Sequence, residues 1–328
     1  MARYVVRRLL NHAVLLTVAV CGVYLLAAWA LNPYTTYTAM NPPLDPAVVE
    51  TMLRGYNLSH QTPLLERFGT WLGGVVRGDW GVTPAGVAVN GQVAGRLGLS
   101  LRLVLLGTLG GIVAGVAVGA WTASRQRRPS DRVLTLASWL ILCSPAFVLG
   151  LVAQIVATRV NRWTGVQLFE FVGPSGTVGR YPLAGLVDQL QHLLLPTLVL
   201  VLVGAAGLSR IQRNLMLDAL GTDYVRAARA RGLTRAQAAR RHALRTALIP
   251  LSTYVSFTVA TMVVSAVYSE RVFSFPGLGS YLVEALRAGD VNGVTAVSAV
   301  SGLCVAVGAT LADVAVGLLD PRVRRERR

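Results

Sequence analysis

Six long apolar stretches punctuate the chain: Ala13–Leu31, Leu103–Ala123, Val133–Thr158, Leu190–Leu208, Ala247–Ser269 and Val291–Ala312. None contains Asp, Glu or Arg. About 20 apolar residues are enough for a helix to cross the hydrocarbon layer. The pattern therefore predicts six membrane spans, at 13–31, 99–123, 133–158, 190–208, 247–269 and 291–319. The second reaches back to Leu99, and the last continues past Asp313 because Val314–Leu319 is again apolar. Between the first two spans, Asn32–Gly98 forms a long connecting segment. Its start, with Pro33, Pro42, Pro43 and Pro46, reads as irregular loop. Farther on, Leu64, Leu65, Phe68, Trp71, Leu72 and Val75 recur at helical spacing and predict a short amphipathic helix over Leu64–Val76. Pro145, Pro196 and Pro250 fall in or beside spans and invite kinks.

Composition sharpens this picture. Of 328 residues, 53% are hydrophobic and 14% charged, against about 25% charged in soluble domains. The formal net charge is +16, and every basic residue is Arg. Without Lys there is no Walker A phosphate loop, so any ATP that drives this chain is bound elsewhere. The Arg residues flank apolar runs, which makes them membrane-helix flanks and not a nucleic-acid patch. An even span count puts both termini on one side. That side carries 21 Arg and the other 9, which predicts cytoplasmic termini at 1–12 and 320–328. The first apolar run is nearer 19 residues than the 7–15 of a signal-peptide core, and it reads as a span. Cys21, Cys143 and Cys304 lie apart in apolar runs, and the four His show no pairing at helical ligand spacing. No metal, cofactor or catalytic site is expected.

The polar loop 209–246 is the most patterned segment. Thr222 or Asp223 can cap a helix running from Tyr224 to Arg231, and Gly232 suits the left-handed residue that ends one. Thr234-Arg235-Ala236-Gln237 reads as a capping box for a second helix, directed toward Pro250. Ala227, Ala228 and Ala230 keep the first helix slim. Such a helix either docks in a partner's groove or lies on anionic lipid headgroups; the residues leave both readings open.

Several stretches together carry a resemblance. They are Asp223-Tyr224-Val225-Arg226-Ala227-Ala228-Arg229-Ala230-Arg231-Gly232-Leu233, with His242 to Pro250 behind it; Glu270-Arg271-Val272-Phe273-Ser274-Phe275-Pro276-Gly277-Leu278-Gly279; Asp313 with Leu319-Asp320-Pro321-Arg322; and Trp71-Leu72 with Gly78-Asp79-Trp80-Gly81. The chain resembles the permeases of ABC importers, and most closely the first permease subunit of dipeptide and oligopeptide importers. Where the general loop motif has Glu-Ala-Ala, this chain has Arg226-Ala227-Ala228, a departure common in the peptide subfamily. The family's proline-glycine-aspartate-proline stretch is not recognisable in Leu31–Pro46.

The resemblance implies an all-α membrane protein of type I ABC importer permease fold in the bacterial cytoplasmic membrane. It implies a second homologous permease, one or two ABC ATPase subunits carrying ATP and Mg, and an extracytoplasmic solute-binding protein. Asp223–Gly232 would be the coupling helix. Phe273, Phe275, Pro276, Gly277 and Gly279 would form a protruding external loop, either touching the binding protein or anchoring at the membrane interface. Asp313 reads as a structural pairing near the cytoplasmic boundary and not as a substrate contact. Nickel or another small solute is the alternative cargo. A self-contained channel or an intramembrane enzyme is the alternative of another class, although no paired aspartates or His-Glu-x-x-His occur in the spans.

Overall fold

The computed structural model describes residues 2–38, 40–42, 44–173 and 184–319. Among these there is no β-strand, only an isolated bridge between Val82 and Ala88. The helices are α1 (Ala2–Ala30), α2 (Thr35–Thr38), α3 (Pro46–Gly55), α4 (Leu64–Val76), α5 (Val89–Ser124), α6 (Pro129–Cys143) and α7 (Ala146–Thr164). They continue as α8 (Ala184–Leu220), α9 (Asp223–Ala230), α10 (Arg235–Ala238), α11 (Leu244–Val272), α12 (Leu278–Arg287) and α13 (Val291–Leu319), with a π-helical segment, Ala239–Ala243, between α10 and α11.

Four segments among the described residues are long and apolar enough to cross a membrane: Val6–Thr38, Val89–Ser124, Val187–Leu220 and Val291–Leu311. The span expected at 133–158 is instead two helices, α6 and α7, which meet at 114°. Pro145 is the cause. It cannot donate a backbone hydrogen bond, and Ser144 before it takes an extended ψ of 132° that ends α6. The irregular start expected for the 32–98 segment is also corrected. Asp45 accepts a hydrogen bond from the Ala47 amide at 2.9 Å and Pro46 occupies the first turn, so α3 forms there.

The chain divides into two compact units, one made of Val6–Ser100 with Pro276–Ala306 and the other built on Leu101–Phe275. In the first, α4 covers the residues at its expected position. Its Trp71 stacks on Tyr24 of α1 at 4.3 Å and meets Trp80 edge-on at 6.2 Å. Such pairs each contribute about 1 kcal/mol beyond area burial. Arg67, only 5% exposed, donates to the carbonyls of Ala28 at 3.4 Å and Leu58 at 3.5 Å. It thereby supplies a donor and a positive charge to the carbonyl end of α1, where both are stabilising. Glu50 accepts hydrogen bonds from Ser59 and Tyr34, which hold its carboxyl below the usual range. Asp290 caps α13 by accepting from the Gly293 amide at 2.9 Å, and Tyr281 donates to its other oxygen at 3.2 Å.

In the second unit, α5 lies almost in backbone contact with α8. A Cβ added at Gly107 would fall 2.7 Å from Leu200 Cβ, one at Gly115 2.7 Å from Leu208 Cβ, and one at Gly119 2.6 Å from the Ser209 carbonyl oxygen. Small residues permit this close approach, which is how helices associate where lipid offers no hydrophobic gain. Gly119→Ala is therefore expected to lower the thermal midpoint of the detergent-solubilised chain, and Gly119→Val to abolish the folded form, since the obstacle is backbone. Gly91→Ala, whose Cβ meets nothing within 4 Å, serves as the control. An unchanged midpoint for Gly119→Val would refute the close packing.

Candidate functional site

The coupling-type loop is built on a stem. Helix α8 does not stop at 208 as expected but runs to Leu220, so the first third of the 209–246 loop is helical. Asp131, 3% exposed in the first turn of α6, fastens this stem. Arg213 forks onto it, Nε to Oδ1 at 2.8 Å and an Nη to Oδ2 at 2.9 Å, and the Arg127 amide donates to it at 3.0 Å. Beside this pair the Arg210 guanidinium sits over the Trp139 ring at 3.4 Å. The α6–α8 seam is thus closed by a bidentate ion pair and a cation–π contact, the stronger forms of each interaction.

Beyond the stem, Gly221 and Thr222 turn the chain into α9, which spans Asp223–Ala230. Thr222 stands at the N-cap, although its hydroxyl bonds back to the Ala219 carbonyl and not forward into α9. Arg231 closes the helix, and Gly232 follows at φ +95°, a backbone conformation that disfavours a Cβ. Thr234 and Gln237 then form the reciprocal capping box that starts α10. The chain passes through the π segment into α11 without a break.

Helix α9 has two faces. Val225 (1% exposed) and Ala228 (8%) pack onto a floor of Ala123, Met216, Ala219, Ala238, Ala239, Ala243 and Ala247. These residues come from α5, α8, α10, the π segment and α11, so the short helix belongs to one apolar cluster drawn from much of this unit's framework. Asp223, Tyr224, Arg226, Ala227, Arg229, Ala230, Arg231 and Gly232 are exposed. Among the described residues, Arg226 reaches its neighbour Asp223, at 2.8 Å, and the Gly221 carbonyl, at 3.4 Å. The outer face thus carries one aromatic ring, two alanines that admit close approach, and three guanidinium groups.

The aromatic segment 273–279 corrects the expectation of a protruding loop. Phe273 is 0% exposed and packs among Ala157, Leu195 and Val199, and Phe275 is 1% exposed. Burying both rings outweighs any gain from displaying them, at roughly 1.5–3 kcal/mol per ring. Gly277 is the N-cap of α12, and Gly279 is buried in its first turn. Only Pro276, with Ser274, is exposed. The rings are therefore available neither to a binding protein nor to an interface. Asp313 lies on α13, but its side chain, like residues 320–328, falls outside the described residues.

Several residues were not singled out from the sequence. The Asp131–Arg213 pair joins positions 82 apart, and nothing local announces it. The inward turn of Val225 and Ala228 was readable from helical spacing once the floor is known. The glycines at 107, 115 and 119, spaced by multiples of four, were a visible signal for close helix packing.

These features define a class: an all-helical, multi-pass membrane permease of the type I ABC importer fold. Two solved structures of the inward-facing MetNI methionine ABC transporter share that fold, with TM-scores of 0.53 and 0.51 at 17% and 18% identity, each covering 70% of this chain and 96% of theirs. The chain belongs to the family of binding-protein-dependent transport system inner membrane components, whose model matches residues 111–325. The oligopeptide transport system permease protein OppB of Mycobacterium tuberculosis is 43% identical over 99% of both chains. AppB of Bacillus subtilis, another oligopeptide permease, is 30% identical over 98% of this chain and 99% of its own. The dipeptide permease DppB of Lactococcus lactis is 27% identical over 99% and 100%.

Proposed function

We propose that this chain is a permease subunit of an ATP-driven importer of short peptides, and that α9 couples it to a separate ATPase. The relatives carry the cargo assignment: three permeases matched end to end are named for oligopeptides or dipeptides. The coupling assignment rests on one observation. Helix α9 turns Val225 and Ala228 inward onto its own protein, while Tyr224, Ala227 and the arginines around them face outward. A helix of eight residues is marginal in water by itself. Here it is braced from behind and presents its other side to a partner.

In this reading both termini and α9 face the cytoplasm, and ATP and Mg belong to ATPase subunits beneath the membrane. A second permease of the same fold completes the pathway, and a solute-binding protein delivers peptide from outside. ATP favours the closed ATPase dimer, and that preference would supply the energy that biases the permease. Movement of α9 would act through Val225 and Ala228 on α5, α8 and α11 together.

The test is a single cysteine at Ala227, in a background with Cys21, Cys143 and Cys304 replaced by serine. Oxidative or short-linker cross-linking in native membranes is expected to join it to the ATPase chain. Exclusive reaction with a lipid-phase reagent, and no protein adduct, would overturn the coupling role. Uptake of labelled di- to pentapeptides by cells carrying the full set of subunits tests the cargo; uptake of nickel alone would assign the other solute.

A further inference from the structure

In the Leu101–Phe275 unit, three donor groups of metal-binding type converge at the N-terminal end of α8. One donor atom from each of Glu170, Asp188 and His192 lies within 4.8 Å of the other two. Asp188 and His192 stand one helical turn apart, and Glu170 arrives on the segment after α7. That segment is pinned in place. The Asn161 side chain accepts from the Leu168 amide at 3.0 Å and the Phe169 amide at 3.1 Å, and donates to the Phe169 carbonyl at 2.8 Å. The Gly173 amide donates to the Phe273 carbonyl at 3.1 Å. Glu170 is therefore held from both sides.

The imidazole gives the decisive geometry. His192 is 4% exposed, and its Nδ1 lies 2.8 Å from the Asp188 backbone carbonyl. A carbonyl can only accept, so Nδ1 is the donor there, with Asp188 Oδ1 also 3.4 Å from it, and the other ring nitrogen, Nε2, is the one turned toward Glu170. That Nε2 faces Glu170 Oε2 at 3.6 Å. A first-row divalent ion fits well: ligands about 2.1 Å from a tetrahedral centre are about 3.4 Å apart. An Nδ1–H bonded to a backbone carbonyl is also the usual orienting contact of a metal-bound imidazole. Beside the cluster opens a cavity of about 540 Å³ lined by Thr158, Asn161, Arg162, Phe169 and Phe171, which leaves a coordination position free for water.

We infer that Glu170, Asp188 and His192 form a binding site for a divalent transition-metal ion of the Zn²⁺ type, tying the segment after α7 to the start of α8. The inference does not depend on the cargo or on the coupling role. The full chain, purified in detergent and stripped with EDTA, is titrated with Zn²⁺ by calorimetry and with Co²⁺ by visible absorption. One ion per chain is expected, with a Co²⁺ d–d spectrum of low-coordinate type and a rise in thermal midpoint on Zn²⁺ addition. His192→Ala and Glu170→Gln are each expected to weaken binding about tenfold or more. Glu66→Gln, on an exposed position of α4, is expected to leave it unchanged. If the wild-type chain binds no more metal than the His192→Ala chain, the inference fails. It fails equally if Zn²⁺ raises the thermal midpoint of the His192→Ala chain as much as that of the wild type.

Discussion

Replacing Arg226 and Arg229 together by glutamate is expected to cut transport by about tenfold or more while leaving the amount of chain in the membrane unchanged. Both side chains are exposed, and neither contributes to the alanine floor, so the fold has little reason to notice. If this face docks on an ATPase as proposed, reversing two charges there turns attraction into repulsion, and 1.4 kcal/mol of lost docking energy already gives a tenfold effect. The informative comparison is Val225→Asp. That residue is 1% exposed, and an unpaired carboxylate there would disturb the floor itself. Substrate uptake and ATP hydrolysis should then separate the two faces. The outward variants keep the protein and lose coupling, whereas the inward one loses the protein. Full uptake by the double glutamate variant would remove α9 as the docking element.

The second large effect is expected at the stem. Asp131→Ala leaves the Arg213 guanidinium without its bidentate partner, and removing one member of a buried pair costs about 3 kcal/mol or more. Arg213 keeps about a quarter of its side chain exposed (23%), so water can reach it and the loss should sit at the low end of that range. A fall in thermal midpoint of the purified chain is the readout. Asp131→Leu combined with Arg213→Met should recover much of it, since a well-packed apolar pair often equals a buried ion pair. If Asp131→Ala melted like the wild type, the pair would be ornamental, and the α6–α8 seam would rest on its other contacts, among them Arg210 over Trp139 and Ser138 beside Ser209.

Much of this architecture is written locally and can be read locally. The helix over Leu64–Val76, the stop at Gly232 and the capping box at Thr234 each depend on residues within a turn or two of one another. Asp45-Pro46 was equally legible as a helix start but was masked by the neighbouring prolines. What could not be read is everything that depends on distant partners. The aromatic pair Phe273 and Phe275 looks the same in a sequence whether it is displayed or buried; only Ala157, Leu195 and Val199 decide it. The ligand triad escaped because a search for paired histidines passes over an Asp–His pair one turn apart, and Glu170 is brought in by the Asn161 clasp. The break at Pro145 was expected as a kink, but its size depends on what α6 and α7 pack against.

One consequence concerns α8. It is a single uninterrupted helix, and from His192 near its start to Ala219 near its end it measures about 40 Å. Such a mast cannot move at the foot alone. A tilt of about 5° pivoting at Ala219 sweeps the masthead through about 3.5 Å over that length, which exceeds the spacing between hydrogen-bonded atoms. A nudge delivered under the floor would thus arrive at the opposite end magnified enough to break or remake contacts there. Pro196, four residues beyond His192, withholds the amide that would otherwise brace that carbonyl, so yielding would concentrate at the top of the mast.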